Sequence, residues 1–194
     1  MIVHKWGEIG YNEVREKMQE VHQFAKNDGQ NHLILCSHPP LFTVGSAEKK
    51  CFNVEVIKTD RGGSITCHSP GQNIYYFCFG VKNPAKFYKK VLTAFEAFFM
   101  KYLPEVTYNK EQAGFYIQNR KIASLGFRYS QGVSLHGVAL NVDVDLDFHS
   151  QVNPCNLEGI VPTSLANEGI NLTQEAVNAA VVHFLEESFN DAAI

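Results

Sequence analysis

The chain has 194 residues, 45% of them hydrophobic, with 17 basic and 20 acidic side chains and a net charge of −3. A chain of this length buries roughly 70% of its unfolded surface, so residues 1–194 are expected to fold as a single domain without a disulfide or metal staple. The acidic balance argues against nucleic acid as a partner, because generic nucleic-acid binders are usually basic. The opening MIVHKWGEIGYNEV lacks the basic n-region and long apolar run of a secretory signal. No apolar stretch approaches the roughly 20 residues needed to cross a bilayer, so a cytoplasmic protein with no membrane partner is expected. Cys36, Cys51, Cys67, Cys78 and Cys155 are odd in number and never spaced C-x-x-C, which fits reduced thiols rather than a disulfide framework or a zinc ribbon.

Along the chain, the residues read as a compact α+β domain. Tyr11, Val14, Met18, Val21 and Ala25 recur at helical spacing until Asn27-Asp28-Gly29, where the glycine supplies a stop. Leu33 to Ser37 reads as a short buried strand halted by His38-Pro39-Pro40, with Leu41 to Val44 continuing it beyond the bend. Asn53 to Thr59 and Ile74 to Val81 read as strands on either side of a glycine-rich loop. Asn83-Pro84 is a cap and first-turn signal for an amphipathic helix through Phe87, Val91, Ala94, Phe95, Phe98, Phe99 and Tyr102, whose aromatic face is expected in the core. Gly114 to Gln118 and Lys121 to Arg128 flank Asn119-Arg120 as a hairpin, and His136 to Asp143 alternates into another strand. Thr173, with Glu175 in the following turn, opens a final helix through Val177, Val181, Phe184, Leu185 and Phe189.

The glycine-rich loop, Arg61 to Gln72, reads RGGSITCHSPGQ. Gly62, Gly63 and Gly71 permit positive φ and close approach of backbone N–H groups to a ligand, and Arg61 supplies a planar fork of donors. Such a segment is equally suited to a carbonyl, a phosphate or a carboxylate. A zinc site from Cys67, His68 and His136 is not expected, since metal ligands want a regular local spacing that is absent here.

The ordered set HPPLFTVG, RGGSITCHSPGQ, KIASLG, HGVALNVDVDL and NPC, running from about His38 to about Leu165, resembles the octanoyltransferase family, also called lipoate-protein ligase B. The resemblance implies a mixed β-sheet platform with packed helices, similar to the catalytic domain of biotin and lipoate protein ligases. It implies transfer of an octanoyl group from acyl carrier protein to a lysine of a lipoyl domain, in 2-oxoacid dehydrogenase complexes or the glycine cleavage H protein, with no metal or nucleotide cofactor. Carried across residue by residue, Cys155 is the acyl-thioester nucleophile and Lys121 its partner. Substrate contacts fall on Arg61, Gly62, Gly63, Ser64, Ile65, Thr66, Cys67 and His68, on Ser124, Leu125 and Gly126, and on Gly137, Val138 and Ala139, with His136 and Asn153 as orienting residues.

Residue chemistry agrees with those roles. An acyl thioester exchanges onto a thiolate at little net energetic cost, and the new thioester can then be attacked by an amine. An ammonium beside a thiol stabilises the thiolate, which suits Lys121 to activate Cys155, and the same lysine can later accept a proton from the attacking amine. Backbone N–H groups around Gly126, Gly137 or the Cys155 turn are the expected oxyanion donors. Lys58, Arg61, Arg120 and Arg128, close in sequence to the motifs, are the expected basic docking residues for an anionic carrier.

Three positions depart from the family's pattern. Cys67 stands where an aromatic residue usually precedes the histidine, Ser69 replaces the glycine of H-G-P-G-Q, and Asn156 replaces the glycine after the cysteine. Cys67 leaves less bulk beside the pocket, which bears on acyl-chain length, and Ser69 fits only if its backbone φ is open to serine. The rival readings are an ATP-dependent lipoate or biotin ligase on the same fold, a non-catalytic module binding acyl carrier or lipoyl domains, and a cysteine hydrolase. Cys155 in NPC favours acyl transfer over adenylation, and Lys121 together with Cys155 favours catalysis over simple binding.

Overall fold

The first strand, β1 (Ile2–Glu8), runs parallel to β2 (His32–Ser37) at one edge of the main sheet, and the sequence reading did not include it. Its side chains are partly exposed along most of their length, so IVHKWGE lacks the clean alternation that would reveal it. Residues 1–46, 48–49, 52–152 and 159–190 are described by this computed structural model. Between the two strands α1 (Tyr11–Asp28) buries the expected stripe of Tyr11, Val14, Met18, Val21 and Ala25. It stops at Gly29, whose φ of 67° is left-handed and lets its N–H bond the Ala25 carbonyl.

Leu41 to Val44 does form a strand, β3, but in a separate sheet rather than as a continuation of β2. The proline pair redirects the chain, and β3 pairs with β4 (Val56–Lys58) and β5 (Ile65–His68). This shortens the expected Asn53 to Thr59 strand and places a strand inside the run read as one continuous loop. β6 (Gln72–Cys78) then crosses the middle of the main sheet, starting and ending before the expected Ile74 to Val81. α2 (Pro84–Tyr102) begins under an Asn83 cap, whose side chain accepts from the Lys86 N–H, as expected.

The remaining strands are β7 (Thr107–Asn109), β8 (Gly114–Ile117), β9 (Arg120–Ser130) and β10 (Val133–Asn141). β8 and β9 make the expected hairpin, with Gln118 at φ 55° in its turn. After a short helix, α3 (Leu146–His149), come β11 (Val161–Pro162), parallel to β9, and α4 (Gln174–Asn190). The main sheet runs β1-β2-β6-β10-β9-β8-β7, with β11 beside β9.

Period-two alternation divides the core. Leu33, Leu35, Tyr75 and Phe77 face α2 and α4, joining Phe87, Phe95, Phe98, Phe99, Val177 and Val181, which places the aromatic stripe of α2 in the core. Ile34, Cys36, Ile74, Tyr76 and Cys78 face α1 on the other side. The small sheet shares that second face, where Tyr11 of α1 stacks on His68 of β5 with ring centroids 6.4 Å apart.

Gly137 sits in the middle of β10, opposite Tyr76 of β6, and a Cβ there would lie 1.9 Å from the Tyr75 carbonyl oxygen. Main chain cannot swing aside as a side chain does. Gly137→Ala is therefore expected to cost about 3 kcal/mol, the upper end for overpacking, and to lower the Tm by about 6–12 °C for a chain of this size. Thermal unfolding followed by circular dichroism would test it, and an unchanged Tm would show that β6 and β10 separate without cost.

Candidate active site

Two adjoining cavities open between the small sheet and the main sheet. The first is lined by Arg61, by Thr66 and His68 of β5, by Ser124, Leu125 and Gly126 of β9, and by His136, Gly137, Val138 and Ala139 of β10. Tyr11, Ile74 and Tyr76 complete it. The second is lined by Ile65, Thr66 and Cys67 of β5, by Lys121, Ala123 and Ser124 of β9, and by Gln72, Asn141, His149, Val152 and Pro162. Thr66 and Ser124 line both, so the two cavities adjoin at these residues. Each lobe is small, with about 370 Å³ of empty space when its open mouth is counted.

Most of the residues singled out in the sequence meet here, although they come from separate strands. Register explains why: Gly137 pairs with Gly126 and Ala139 with Ser124 across β9 and β10, so the two motifs lie side by side. Gly62, Gly63 and Ser64 line neither cavity. The Gly62 N–H donates to the Phe127 carbonyl, Gly63 adopts φ 85° beside Gly45, and the Ser64 hydroxyl bonds Glu48. Asn153, Cys155 and Asn156 lie outside the described residues.

Arg61 is buried rather than exposed, which removes it from the expected docking patch. Its guanidinium donates to the Thr43 carbonyl at 3.0 Å, to the Thr43 hydroxyl at 2.9 Å and to the Gly62 carbonyl at 2.9 Å. Having accepted from Arg61, Thr43 has its own proton to give, and it donates to His68 Nε2 at 3.2 Å. His68 Nδ1–H in turn donates to Gln72 Oε1 at 2.8 Å. Both ring nitrogens are thus satisfied in the neutral tautomer, and burial first, then the nearby His38 and Arg61, holds the pKa of His68 well below the ordinary imidazole value.

The chain of bonds continues across the second cavity. Gln72 Nε2 donates to the Cys67 carbonyl and to Asn141 Oδ1, and Asn141 Nδ2 donates to the Thr163 carbonyl at 2.8 Å. A buried network satisfied at every step fixes the loop ends rigidly. Gln72 closes the glycine-rich run read from sequence as built for a ligand, whereas Asn141 has no site role in that reading. For Asn141 the signal was present, since an amide inside the apolar run GVALNV needs a buried partner.

Lys121 is 6% exposed, unusual for a lysine. Its Nζ donates to the Gln112 carbonyl at 3.4 Å and lies 5.4 Å from the centre of the Tyr116 ring. A Cβ on Gly114 would stand 2.7 Å from Lys121 Cε, so the bare glycine leaves the room that the lysine stem fills. Cys67 is packed with Phe42, Ile65 and Val152, and burial, reinforced by Asp145, pushes its thiol up to about 12. That thiol stays protonated at neutral pH. Ser69 has no positive φ, so serine is accommodated in ordinary backbone, and its hydroxyl lies 2.9 Å from His149 Nε2. Burial, against the pull of Asp145, lowers His149 to about 4.

Of the other expected docking residues, Arg120 makes a two-pronged ion pair with Glu168 at 2.7 and 2.9 Å, and Arg128 pairs with Asp60. Lys58 is exposed. No group of three His, Cys, Asp or Glu that could hold a metal ion occurs among the described residues, and no helix among them is long and apolar enough to cross a membrane.

Residues 14–186 match the Lipoyl protein ligase A/B catalytic domain family. The chain is 35% identical over 181 residues to the octanoyltransferase of Wigglesworthia glossinidia brevipalpis, covering 89% of this chain and 84% of that protein. In fold it is similar to the bipartite lipoate protein ligase of Thermoplasma acidophilum, with a TM-score of 0.74 at 12% identity over 97% of this chain and 83% of that one. It is also similar to the biotin protein ligase of Aquifex aeolicus, with a TM-score of 0.58 at 12% identity over 97% of this chain and 70% of that one. The ligase likenesses establish the α+β architecture with its mixed sheet, while the sequence match reaches the chemistry: this chain belongs to the octanoyltransferases, acyltransferases that move an octanoyl group in lipoate biosynthesis.

Proposed function

We propose that the protein carries the octanoyl group on Cys155 as a thioester, taking it from acyl carrier protein and passing it to a lysine of a lipoyl domain. The Cys155 thiolate attacks the carbonyl carbon of the carrier thioester, the carrier thiolate leaves, and Lys121 supplies its proton. In the second half the acceptor amine attacks the same carbon, the amide forms, Cys155 leaves as thiolate and Lys121 takes up the amine proton. The first cavity holds the acyl chain, and Thr66 and Ser124 mark the passage from chain to reacting carbon.

The observation that carries this reading is the buried Lys121 on the wall of the second cavity, which Val152 also lines. Cys155 follows Val152 by three residues in sequence. The contributing groups lie on one pair of sheets joined by a single buried network, which supports reading 1–194 as one catalytic domain.

Incubation with octanoyl-acyl carrier protein in the absence of acceptor and ATP is the direct test. The expected result is one octanoyl adduct, mapped to Cys155 by peptide mass and transferred when a lipoyl domain is added. An unmodified protein after long incubation with competent donor overturns the thioester reading, and labelling that appears only with ATP would favour an adenylating ligase.

A further inference from the structure

His136 lines the first cavity, and it also lines an open cleft on the molecular surface formed with Asn12, Arg15, Glu16, Met18, Gln19 and Asp60. The residue therefore stands between the two spaces. The side chain is 3% exposed, and the backbone at this position has φ 62°, a left-handed conformation that a histidine in mid-strand adopts only when its surroundings hold it there. On the cavity side its ring meets Tyr76 edge-on at 6.2 Å between centroids.

The hold on this ring comes from the cleft side. Nε2–H donates to Asp60 Oδ1 at 2.6 Å, while the buried Nδ1 has no hydrogen-bond partner. Asp60 is 42% exposed and is gripped in turn by Arg128. A ring anchored by one bond to a half-exposed carboxylate differs from its neighbour His38, whose Nδ1–H donates to the Ile9 carbonyl and whose Nε2 accepts from the Tyr76 hydroxyl. His38 is locked at both ends and His136 at one.

We propose that His136 is the end wall of the acyl cavity and sets the longest acyl chain the enzyme accepts, with Asp60 holding the wall shut and the surface cleft as the space a longer chain would enter. The inference rests on the first cavity holding the acyl chain. It also moves chain-length control away from Cys67, which lines the second cavity and not the first. A chain that fits stops against the ring; each further methylene has to displace it or fold back.

The test compares wild type with His136→Gly and Asp60→Ala. Glycine adopts φ near +62° without strain, so His136→Gly removes the ring at a position where the backbone tolerates the change, and Asp60→Ala frees the ring without removing it. Dissociation constants for octanoic and dodecanoic acid are measured by titration calorimetry on each protein below the micelle concentration. Wild type is expected to favour octanoate. In His136→Gly the ratio should move toward dodecanoate by about tenfold or more, since the added methylenes gain a place to lie, with a smaller move in the same direction for Asp60→Ala. The same ratio in all three proteins, or no binding of either acid to any of them, overturns the proposal. Adduct formation from octanoyl- and dodecanoyl-carrier thioesters is followed in parallel. Failure to form any adduct while the binding ratio shifts counts against the Cys155 thioester and leaves the wall standing, whereas normal adducts with unchanged chain preference sink the wall alone.

Discussion

Cys155→Ser is expected to abolish the octanoyl-enzyme and to reduce octanoyl transfer by at least about a thousandfold, as loss of a covalent nucleophile does in enzymes that depend on one. A serine hydroxyl is scarcely ionised at neutral pH, whereas a thiol gives up its proton far more readily. Intact mass after incubation with octanoyl-acyl carrier protein should show the unmodified variant, with a circular dichroism spectrum matching wild type to exclude a folding defect. Retention of transfer within tenfold of wild type would remove Cys155 from the mechanism. It would redirect attention away from the described thiols as well, since burial raises those of Cys36, Cys67 and Cys78, all of which remain protonated.

Lys121→Ala is expected to lower transfer by about a hundredfold or more, within the range general acid–base groups contribute, and to do so with a pH signature that separates its two roles. If the lysine cation holds the Cys155 thiol in its thiolate form, its removal lets the thiol rise toward the reference value of about 8.5. Alkylation of Cys155 by iodoacetamide should then slow at neutral pH and recover as the pH climbs. Profiles of wild type and Lys121→Ala that superimpose between about pH 6 and 9 would confine the lysine to proton transfer in the second step. Lys121→Arg is a sharper probe than it looks, because Gly114 leaves space fitted to a lysine stem and the broader guanidinium has to find room against Tyr116.

Local periodicity was enough to find α1, α2 and α4, because each buries one face and its residue types repeat at the period of that face, and the turn at Asn119-Arg120 was enough to find the β8–β9 hairpin. Motif order was enough to name many of the residues that gather around the two cavities, though not all of them. What the chain could not disclose locally was pairing. The four residues of β5 are too few to stand out from the glycines around them, and they become a strand only because β3 lies alongside. Arg61, placed by its chemistry among the ligand contacts, turns its fork inward to Thr43, eighteen residues upstream. Tyr11 reads in sequence as one more apolar position on a helix, yet it closes the first cavity. His136 meets Asp60 across 76 residues of chain, a contact made when the loop ahead of β5 folds over β9 and β10. Periodicity and composition report which face of an element is buried, because burial acts on each residue in turn; which element does the burying depends on strand register and on the packing of distant segments, and those exist only in the folded molecule.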